Sequence, residues 1–363
     1  MTPGSGTPAA PLTFAIVGCG NIARTHARAL AGLAARGGAS AARLVACVDV
    51  VGSRARTLAD EHGAQARSWG DVLADPAVEA VSVCTPSGGH AALAVQALAA
   101  GKHVVVEKPV DVTLTAARDL AAAARRSGRT VAVVSQHRFD DATAHVEHLV
   151  ATGALGVPVL VDARVPWWRD PAYYAADAWR GTVDGDGGGA LVNQAIHTVD
   201  LMLATAGPVA RVQAAAATRL HDIEVEDVVC ATLTFTSGAL GTLAASTAVA
   251  PGFPARLALH GTAGSVVVEG DRVVVDARLG EVPSPRAEVT ADALAVAGTG
   301  SRTAEHEVAG GWGVAHERQL ADVVRAVREG RPPRVGVEDG IRALEVVDAV
   351  YRSARSGRAV DLT

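Results

Sequence analysis

Three features of this chain have the residue types and spacing that proton transfer and anion binding require. Lys108 follows a β-branched run, where a strand would end. Asn193 and His197 are four positions apart in a segment with helical spacing, so both side chains lie on one face of that helix. Gly18 and Gly20 form a glycine turn directly after another β-branched run. An amine, an imidazole and a glycine turn are typical of an enzyme that moves a proton beside a phosphate-bearing ligand.

The first half of the chain alternates short β-branched runs with longer helical segments, which predicts a parallel sheet covered by helices. This pattern extends from Leu12 to about Gln136. The predicted helices are Asn21–Leu33, Ser53–His62, Gly89–Ala100 and Thr113–Ser127. The expected fold of this half is a doubly wound α/β (Rossmann) domain.

The second half has a different texture, because several β runs follow one another with only turns between them. Such spacing predicts hairpins and a mainly antiparallel sheet, giving an α+β domain. Helices are expected at Asp140–Thr152, Ala190–Thr205, His316–Glu329 and Glu338–Ser356, whereas residues 280–312 show no clear periodicity.

At 363 residues, the chain is long enough for two hydrophobic cores. We expect a disordered tail at 1–11, a dinucleotide-binding domain at 12–137, and a substrate-binding and oligomerisation domain at 138–363. The last of these would include the C-terminal helices within 316–356.

The glycine turn has the G-x-G-x-x-A pattern of a dinucleotide fingerprint, in the required context between a strand and a helix. Gly18 would allow the tight turn, Gly20 the approach of a pyrophosphate, and Ala23 close packing of helix on strand. Asn21 and Ile22 complete the motif and open the helix, whose N-terminal amides bind anions. The alternative is an ordinary glycine turn.

Asp49 ends the second predicted strand, where a carboxylate can bind the adenosine ribose hydroxyls and repel a 2′-phosphate. This favours NAD over NADP as the cofactor. Two alternatives stay open, since Asp49 could cap the next helix and nearby Arg54 could receive a phosphate.

Further candidate cofactor contacts lie where later strands end, because the ligand crevice of a doubly wound sheet is at that edge. Pro109 disfavours the α region for Lys108, so the lysine should leave the strand extended and reach the crevice. The other candidates at these strand ends are Thr85, Pro86, His90, Glu107 and Gln136.

Taken together, these motifs resemble the Gfo/Idh/MocA family, named after glucose-fructose oxidoreductase, inositol dehydrogenase and rhizopine catabolism. The resemblance covers nearly the whole chain and rests on the order and spacing of four motifs. They are Gly18–Ala23, Thr85-Pro86 followed by His90, Glu107-Lys108-Pro109, and the segment Gly187–Asp200.

The resemblance implies that Lys108 lies beside the nicotinamide and the substrate, with His197 completing a catalytic pair. Many relatives carry aspartate where this chain has Asn193; an amide cannot take a proton, so Asn193 becomes a substrate-orienting group. His197 could instead be a core histidine, or a metal ligand with Asp200, although no third ligand is apparent. We therefore expect no metal.

Aromatic residues are rare in this chain, yet five of them fall within 13 consecutive positions: Trp167, Trp168, Tyr173, Tyr174 and Trp179. Aromatic faces suit the C–H patches of sugar rings, so Trp168 and Tyr174 are predicted to contact substrate, together with Arg164. A plain hydrophobic anchor for a loop is the alternative. Trp179 and Arg180 resemble a family segment that approaches the nicotinamide.

The predicted activity is NAD-dependent hydride transfer from a secondary hydroxyl of a sugar, sugar nucleotide or cyclitol. Oxidation of such an alcohol needs a base with a pKa near ambient pH, and the positively charged NAD ring beside Lys108 would lower the pKa of that lysine. The resemblance is closest to relatives that oxidise sugar nucleotides or free pyranosides at carbon 3. A non-catalytic NAD or sugar sensor and an imine or enone reductase are competing hypotheses.

Composition excludes several classes of partner. A formal charge of −5 offers no basic face for nucleic acid. No apolar run is long enough to span a membrane, and residues 1–11 lack the pattern of an export signal. The four cysteines have no C-x-x-C pairing and are interpreted as buried small hydrophobes.

We expect a cytoplasmic homodimer or homotetramer, since an open antiparallel sheet needs a covered face.

Overall fold

The computed structural model describes residues 10–280 and 311–362, which form two compact units. The first unit contains the residues up to Asp111 together with Thr115–Gln136 and Trp312–Glu338, and the second contains the rest. The predicted tail at 1–11 and the predicted irregular segment at 280–312 lie almost entirely outside the described residues.

The first unit is built on a six-stranded sheet in the order β3-β2-β1-β4-β5-β6. Every neighbouring pair is parallel, which confirms the doubly wound fold. The strand order reverses between β1 and β4, so the carboxyl ends of these two strands form the switch point at which such sheets bind ligands. The strands are β1 Leu12–Val17, β2 Ala42–Val48, β3 Gln65–Ala66, β4 Ala80–Val83, β5 His103–Val106 and β6 Val131–Val133.

Helices pack on this sheet through apolar stripes spaced at three or four residues. In the first helix, Ala23, Ala27 and Leu30 are fully buried, and Gly37 ends the helix with a positive φ of 63°. The helices in sequence order are α1 Asn21–Arg36, α2 Gly52–His62, α3 Trp69–Ala74, α4 His90–Ala99 and α5 Leu114–Ser127.

A C-terminal helix also belongs to the first unit, whereas the sequence analysis placed it in the second domain. The helix Gly311–Glu329 contributes Leu320, Val323 and Val324 to the core that contains α1, β1 and β2. Its Gln319 donates to the carbonyl of Val133 at 2.8 Å and accepts from the amide of Ser135 at 3.1 Å. Amphipathic spacing revealed the helix but not the core that it covers.

The second unit contains an eight-stranded sheet in the order β13-β12-β11-β7-β10-β9-β8-β14. Its pairs are antiparallel except for β7 with β10, which are parallel. The mainly antiparallel prediction is therefore confirmed. The strands are β7 Pro158–Pro166, β8 Val209–Ala217, β9 Val228–Phe235, β10 Leu240–Ser246, β11 Arg256–Gly261, β12 Gly264–Glu269, β13 Arg272–Arg278 and β14 Val360–Asp361.

The second unit buries one face of its sheet, and β7 shows the alternation most clearly. Val161, Ala163 and Val165 are buried, while the intervening side chains face the other way.

The helices that follow α5 are α6 Asp141–Ala151, α7 Pro171–Ala175, α8 Val183–Asp186, α9 Ile196–Ala206, α10 Gly311–Glu329 and α11 Val337–Ser356. Within residues 10–280 and 311–362, no helix has the length and apolar character needed to cross a membrane.

The cysteines only partly match their predicted environment. Cys19, Cys47 and Cys84 are buried, but Cys230 is exposed. Cys230 lies on β9 between buried Val229 and Ala231, so the alternation of the strand turns its side chain to the open face. Interpreting Cys230 as a buried hydrophobe was therefore wrong.

We predict that Gln319→Leu destabilises the first unit. The buried amide of Ser135 and the carbonyl of Val133 would lose their partner, at a cost of about 2–4 kcal/mol. Urea unfolding should show a lower midpoint with an unchanged m value. Val314→Ala, a truncation at an exposed position of the same helix, is the control and should leave the midpoint unchanged.

Candidate active site

The turn after β1 has the backbone that the fingerprint requires. Gly18 has a φ of +86°, and a Cβ there would lie 2.7 Å from the backbone of Cys84 and Thr85. Only glycine fits this position. A Cβ on Gly20 would meet nothing within 4 Å, so the space above this residue is open. Ala23 is fully buried against the strand, while Asn21 is exposed and Ile22 partly buried.

The N-terminus of α1 is available to an anion. Gly20 occupies the cap position without a side-chain hydrogen bond, and the first turn contains no acidic residue. Among the described residues, the buried oxygens Thr85 Oγ1 and Gln136 Oε1 have no hydrogen-bond partner. Open amides and two unsatisfied oxygens at the carboxyl edge of the sheet fit NAD, which Gly20, Asn21, Thr85 and Gln136 would hold.

Asp49 is fixed at the end of β2 by two backbone amides. One carboxylate oxygen accepts from Cys19 in the glycine turn at 2.7 Å, and the other accepts from Val51 at 2.7 Å. A carboxylate has about four acceptor sites, so Asp49 can also bind ribose hydroxyls. Arg54 is exposed on the first turn of α2. The cofactor roles of both residues stay predictions.

His90 connects the two turns that flank the crevice edge. Its Nδ1 lies 2.7 Å from the carbonyl oxygen of Pro109, and its Nε2 lies 2.8 Å from that of Thr85. The side chain is 1% exposed, which makes His90 a support for the turns rather than a residue with an open face toward a ligand. Pro86 is exposed in the same turn.

The side chains of Glu107 and Lys108 in the motif Glu107-Lys108-Pro109 differ in burial. From Val104 to Val110, Lys108 is the one residue that is not buried. Glu107 is 5% exposed and hydrogen-bonds to His26 inside the first unit, so its side chain faces the core instead of the cofactor edge. The peptide bond between Lys108 and Pro109 is cis.

In the second unit, Glu226 holds the start of the segment that carries Asn193 and His197. Its carboxylate accepts from the amides of Gly189 and Leu191, each at 2.9 Å, and from the hydroxyl of Tyr351 at 2.9 Å. Burial raises the pKa of Glu226, although these hydrogen bonds partly offset the rise.

This segment is a π-helical turn at Ala190–Ala195 followed by α9, where the sequence predicted one α-helix. From Ala190 to Asp200, Asn193 and His197 are the only residues that are not buried. Asn193 and His197 are therefore the accessible positions of this segment, and their facing one cavity stays a prediction. Wide helical turns of this kind are frequent at functional sites.

Two side chains that the sequence analysis missed contact this pair. Asp186 is 2% exposed; it accepts from the Asn193 amide nitrogen at 2.5 Å and from the Gly181 backbone at 2.6 Å. His137 packs edge-on to His197 with ring centroids 5.5 Å apart, and Asp140 holds its Nδ1 at 2.7 Å. These contacts orient the amide and the imidazole.

Two of the clustered aromatic residues pack against a histidine. Trp168 and Tyr174 lie on His221, with ring centroids 6.2 and 4.7 Å away. The hydroxyl of Tyr174 is 2.8 Å from Thr247 Oγ1, and burial is the main cause that raises its pKa to about 12. This phenol therefore remains protonated at neutral pH, when it can hydrogen-bond but not act as a base.

The guanidinium groups of two arginines lie over aromatic rings of the same segment. Arg180 lies over Tyr173 at 4.4 Å and over Trp179 at 4.8 Å, with Asp177 3.1 Å from its Nε. Arg169 lies 5.1 Å from the Tyr173 ring and donates to the side chain of Gln194 at 2.8 Å. Arg169 is thus linked to the residue next to Asn193.

Two sequence-based assignments find no support in the structure. Arg164 alternates with the buried residues of β7, pairs with Asp162 at 2.9 Å, and faces away from the helical layer that carries His197. This orientation gives no support to the assignment of Arg164 to substrate binding, whereas Arg169 reaches Gln194 beside Asn193. Asp200 binds Arg138 through both oxygens, at 2.5 and 2.7 Å, which leaves the hypothetical metal site with His197 unsupported.

Distance along the chain explains two of the residues that the sequence analysis missed. His221 and Arg169 meet Trp168 and Gln194 only through folding, whereas Asp186 lies seven positions before Asn193, directly ahead of the segment Gly187–Asp200. His137 did carry a signal, because it directly follows Gln136 at a strand end, where the other cofactor-edge candidates were found.

The parallel sheet with its glycine turn is typical of a nucleotide-binding domain. Residues 12–135 match the model of an oxidoreductase family with an NAD-binding Rossmann fold. Residues 143–267 match the Gfo/Idh/MocA C-terminal domain.

Individual relatives align over nearly the full chain. The WlbA dehydrogenase from Chromobacterium violaceum, solved with NADH and UDP-GlcNAcA, is 30% identical, with a TM-score of 0.82 over 97% of this chain and 96% of that one. Inositol 2-dehydrogenase from Rhizobium meliloti is 25% identical over 96% of this chain and 98% of its own. Levoglucosan dehydrogenase in complex with NADH shares the fold, with 23% identity, a TM-score of 0.85, and coverage of 98% of this chain and all of that one.

The chain belongs to the Gfo/Idh/MocA family of oxidoreductases. The family resemblance, the enzyme class and NAD as the cofactor are thereby confirmed.

We predict that one added methyl group lowers stability at Gly18 but weakens NAD binding at Gly20. Gly18→Ala should lower the free energy of unfolding by about 2–4 kcal/mol, because it combines a positive φ with a backbone clash. Gly20→Ala, the matched control, adds its methyl group to open space and should leave stability unchanged while weakening NAD binding at least about tenfold. Urea unfolding and calorimetric titration measure the two effects. Equal loss of stability in both variants would contradict this assignment.

We predict that Glu226→Gln destabilises the segment that carries Asn193 and His197. A glutamine amide would direct a donor at one of the backbone N–H groups that the carboxylate now binds, costing about 1–3 kcal/mol. Urea unfolding measures the loss. Glu224→Gln is the control, because Glu224 also accepts from a backbone amide, that of Val183 at 2.9 Å, but is exposed. A loss no larger than in the control would count against the prediction.

Proposed function

We propose that this enzyme oxidises a secondary hydroxyl on a carbohydrate ring, with Lys108 and His197 as its acid–base pair. The observation that carries the proposal is the selective exposure of Lys108, Asn193 and His197 within otherwise buried segments. The relative solved with UDP-GlcNAcA supports a sugar nucleotide or pyranoside as substrate. The family resemblance favours carbon 3 as the position that is oxidised.

The choice of lysine at position 108 is itself informative. Lys102 and Lys108 are the only lysines in the chain, although it contains 33 basic residues. Arginine replaces lysine at every other basic position, but a guanidinium cannot lose a proton in a protein. Retention of an amine at the end of β5 therefore supports proton transfer over simple charge.

Each residue has a separate role in the proposed reaction. Lys108 takes the hydroxyl proton, and His197 shares or relays it. Bound NAD supplies the hydride acceptor. Asn193, oriented by Asp186, donates to or accepts from a neighbouring hydroxyl, since an amide can do both. His137, anchored by Asp140, fixes the orientation of His197.

The aromatic segment is proposed to receive the ring of the substrate. Trp168 and Tyr174 offer flat faces around His221. Arg169 takes the polar role first given to Arg164, because its side chain reaches Gln194 beside Asn193. Trp179 and Arg180 are proposed to lie toward the nicotinamide end.

The location and assembly of the enzyme are also proposals. Free cysteines and an NAD cofactor suit the cytoplasm. A homodimer or homotetramer would cover the open sheet face. There Leu160 and Leu240 are neighbours across β7 and β10, and they are 42% and 60% exposed.

We predict that Lys108→Met and His197→Ala each lower kcat by at least about 100-fold, the lower range for losing a positioned acid–base group, with NAD affinity retained. Lys102→Met is the matched control. Lys102 lies just before the same strand, and its ammonium donates to the carbonyl of Asp75 at 2.5 Å. This variant should lose stability but keep kcat within about twofold.

The substrate is found by measuring NAD reduction across pyranosides, sugar nucleotides, cyclitols and linear primary alcohols. Ring compounds should be turned over, and Trp168→Ala should raise KM for the best of them. Near-normal turnover of Lys108→Met would overturn the assigned mechanism. NAD binding without turnover of any compound would favour a sensor, and activity restricted to imines or enones would favour a reductase.

A further inference from the structure

Three ionisable side chains lie together inside the first unit, outside the set assigned above. His26 on α1 is fully buried, His316 on α10 is 2% exposed, and Glu107 after β5 is 5% exposed. His26 Nε2 lies 2.8 Å from Glu107 Oε1, and His316 Nε2 lies 3.9 Å from the same oxygen. Withdrawing charges from water costs several kcal/mol per ion, so this cluster requires internal compensation.

Both protonation states of His26 can satisfy its neighbours, because Ser82 Oγ can accept from an imidazolium or donate to a neutral ring. The distance between His26 Nδ1 and this hydroxyl oxygen is 2.6 Å. The carboxylate at Nε2 favours the imidazolium. An imidazolium donates to both neighbours at once, because a carboxylate and a hydroxyl both accept. The cluster is then a buried ion pair with each nitrogen of His26 satisfied.

The pKa values agree with this geometry. Burial alone would lower the pKa of His26, but Cys84 and the hydrogen bond and charge of Glu107 raise it to about 10. Burial alone would raise the pKa of Glu107, but His26 lowers it to about 2, with help from His316 and Lys108. The groups that act on Glu107 thus come from α1, from α10 and from the strand end itself.

Glu107 also contacts the proposed base. Its second oxygen accepts a hydrogen bond from the backbone nitrogen of Lys108 at 3.0 Å. The charge of Lys108 is among the causes that lower the pKa of Glu107, and this interaction is reciprocal. A carboxylate left without a counter-charge would therefore hold the proton on Lys108, whereas a neutralised carboxylate allows the amine to release it.

We propose that His26 and His316 are positioning residues that neutralise Glu107, so that Lys108 can lose its proton near neutral pH. This inference rests on the proposed role of Lys108 as the base. A metal site is the competing interpretation, since the three ligand atoms lie within 4.8 Å of one another. The 2.8 Å separation of His26 and Glu107 favours the ion pair, because two ligands of one tetrahedral zinc ion would be about 3.3 Å apart.

The test is the pH dependence of kcat/KM in His26→Gln. Glutamine keeps a donor toward Glu107 but removes the positive charge. The limb that reports deprotonation of the base should move to higher pH by about one unit or more, with the rate recovering in alkaline solution. His316→Gln should move the same limb by less, because His316 is farther from the carboxylate.

Gln319→Leu is the control, since it loosens the helix that carries His316 without changing any charge. It should lower stability and leave the limb in place. A uniform loss of rate in His26→Gln at every pH, or an equal shift in Gln319→Leu, would mean a purely structural role and would overturn the proposal.

A second measurement does not depend on activity. The folded-state pKa of His26 is raised, so its contribution to stability is complete below about pH 6.5 and is lost as the pH rises through about 10. The difference in urea midpoint between the wild type and His26→Gln should therefore shrink between these pH values. A constant difference would overturn the ion pair, even if Lys108 proved not to be the base.

Two further readouts complete the test. If His26→Gln does not fold, nitrogen NMR of histidine-labelled wild type decides, with an imidazolium signal for His26 expected at pH 8.5 and a neutral one overturning the proposal. Zinc that raises the melting temperature of the wild type but not of His316→Gln would replace the ion pair with a metal site.

Discussion

A carboxylate withdrawn from water must find donors inside the protein, and this constraint organises both units. Each segment with a proposed function gives backbone or amide N–H groups to such a carboxylate. Buried Glu107 holds Lys108, buried Asp186 holds Asn193, buried Glu226 holds the start of the helical segment, and the partly exposed Asp49 holds the glycine turn. Because charge-assisted hydrogen bonds are short and directional, they fix these segments more tightly than apolar packing alone.

The same constraint accounts for the amide at position 193, where many relatives carry aspartate. Asp186 lies 2.5 Å from the Asn193 side chain and is 2% exposed. A second carboxylate at that distance would place two like charges together, and one of them would have to take up a proton. Asn193 satisfies Asp186 without titrating, which assigns proton transfer to other residues.

Local patterns predicted the parts of the structure that depend on near neighbours in the chain. The first helix was expected at Asn21–Leu33 and extends to Arg36, and the family motif at Gly187–Asp200 drew attention to Asn193 and His197, the two partly exposed residues from Ala190 to Asp200. Features set by distant contacts were missed. The parallel pairing of β7 with β10 joins strands about 80 positions apart, and a single arginine on a strand gives no sign of which face it takes, so Arg164 was assigned to the substrate and Arg169 was not considered. The cluster of His26, Glu107 and His316 combines three widely separated elements, and the motif that contains Glu107 gives no sign of its two histidine partners.

The docking of α10 into the first unit has a consequence for how the protein is made. On a ribosome, the six parallel strands emerge well before Leu320, Val323 and Val324, which complete their core. Until synthesis is nearly finished, the nascent chain therefore exposes an apolar patch, and His316 has yet to reach Glu107. A fragment that ends after β6 would contain the whole glycine turn but lack the residues of α10 that complete its hydrophobic core.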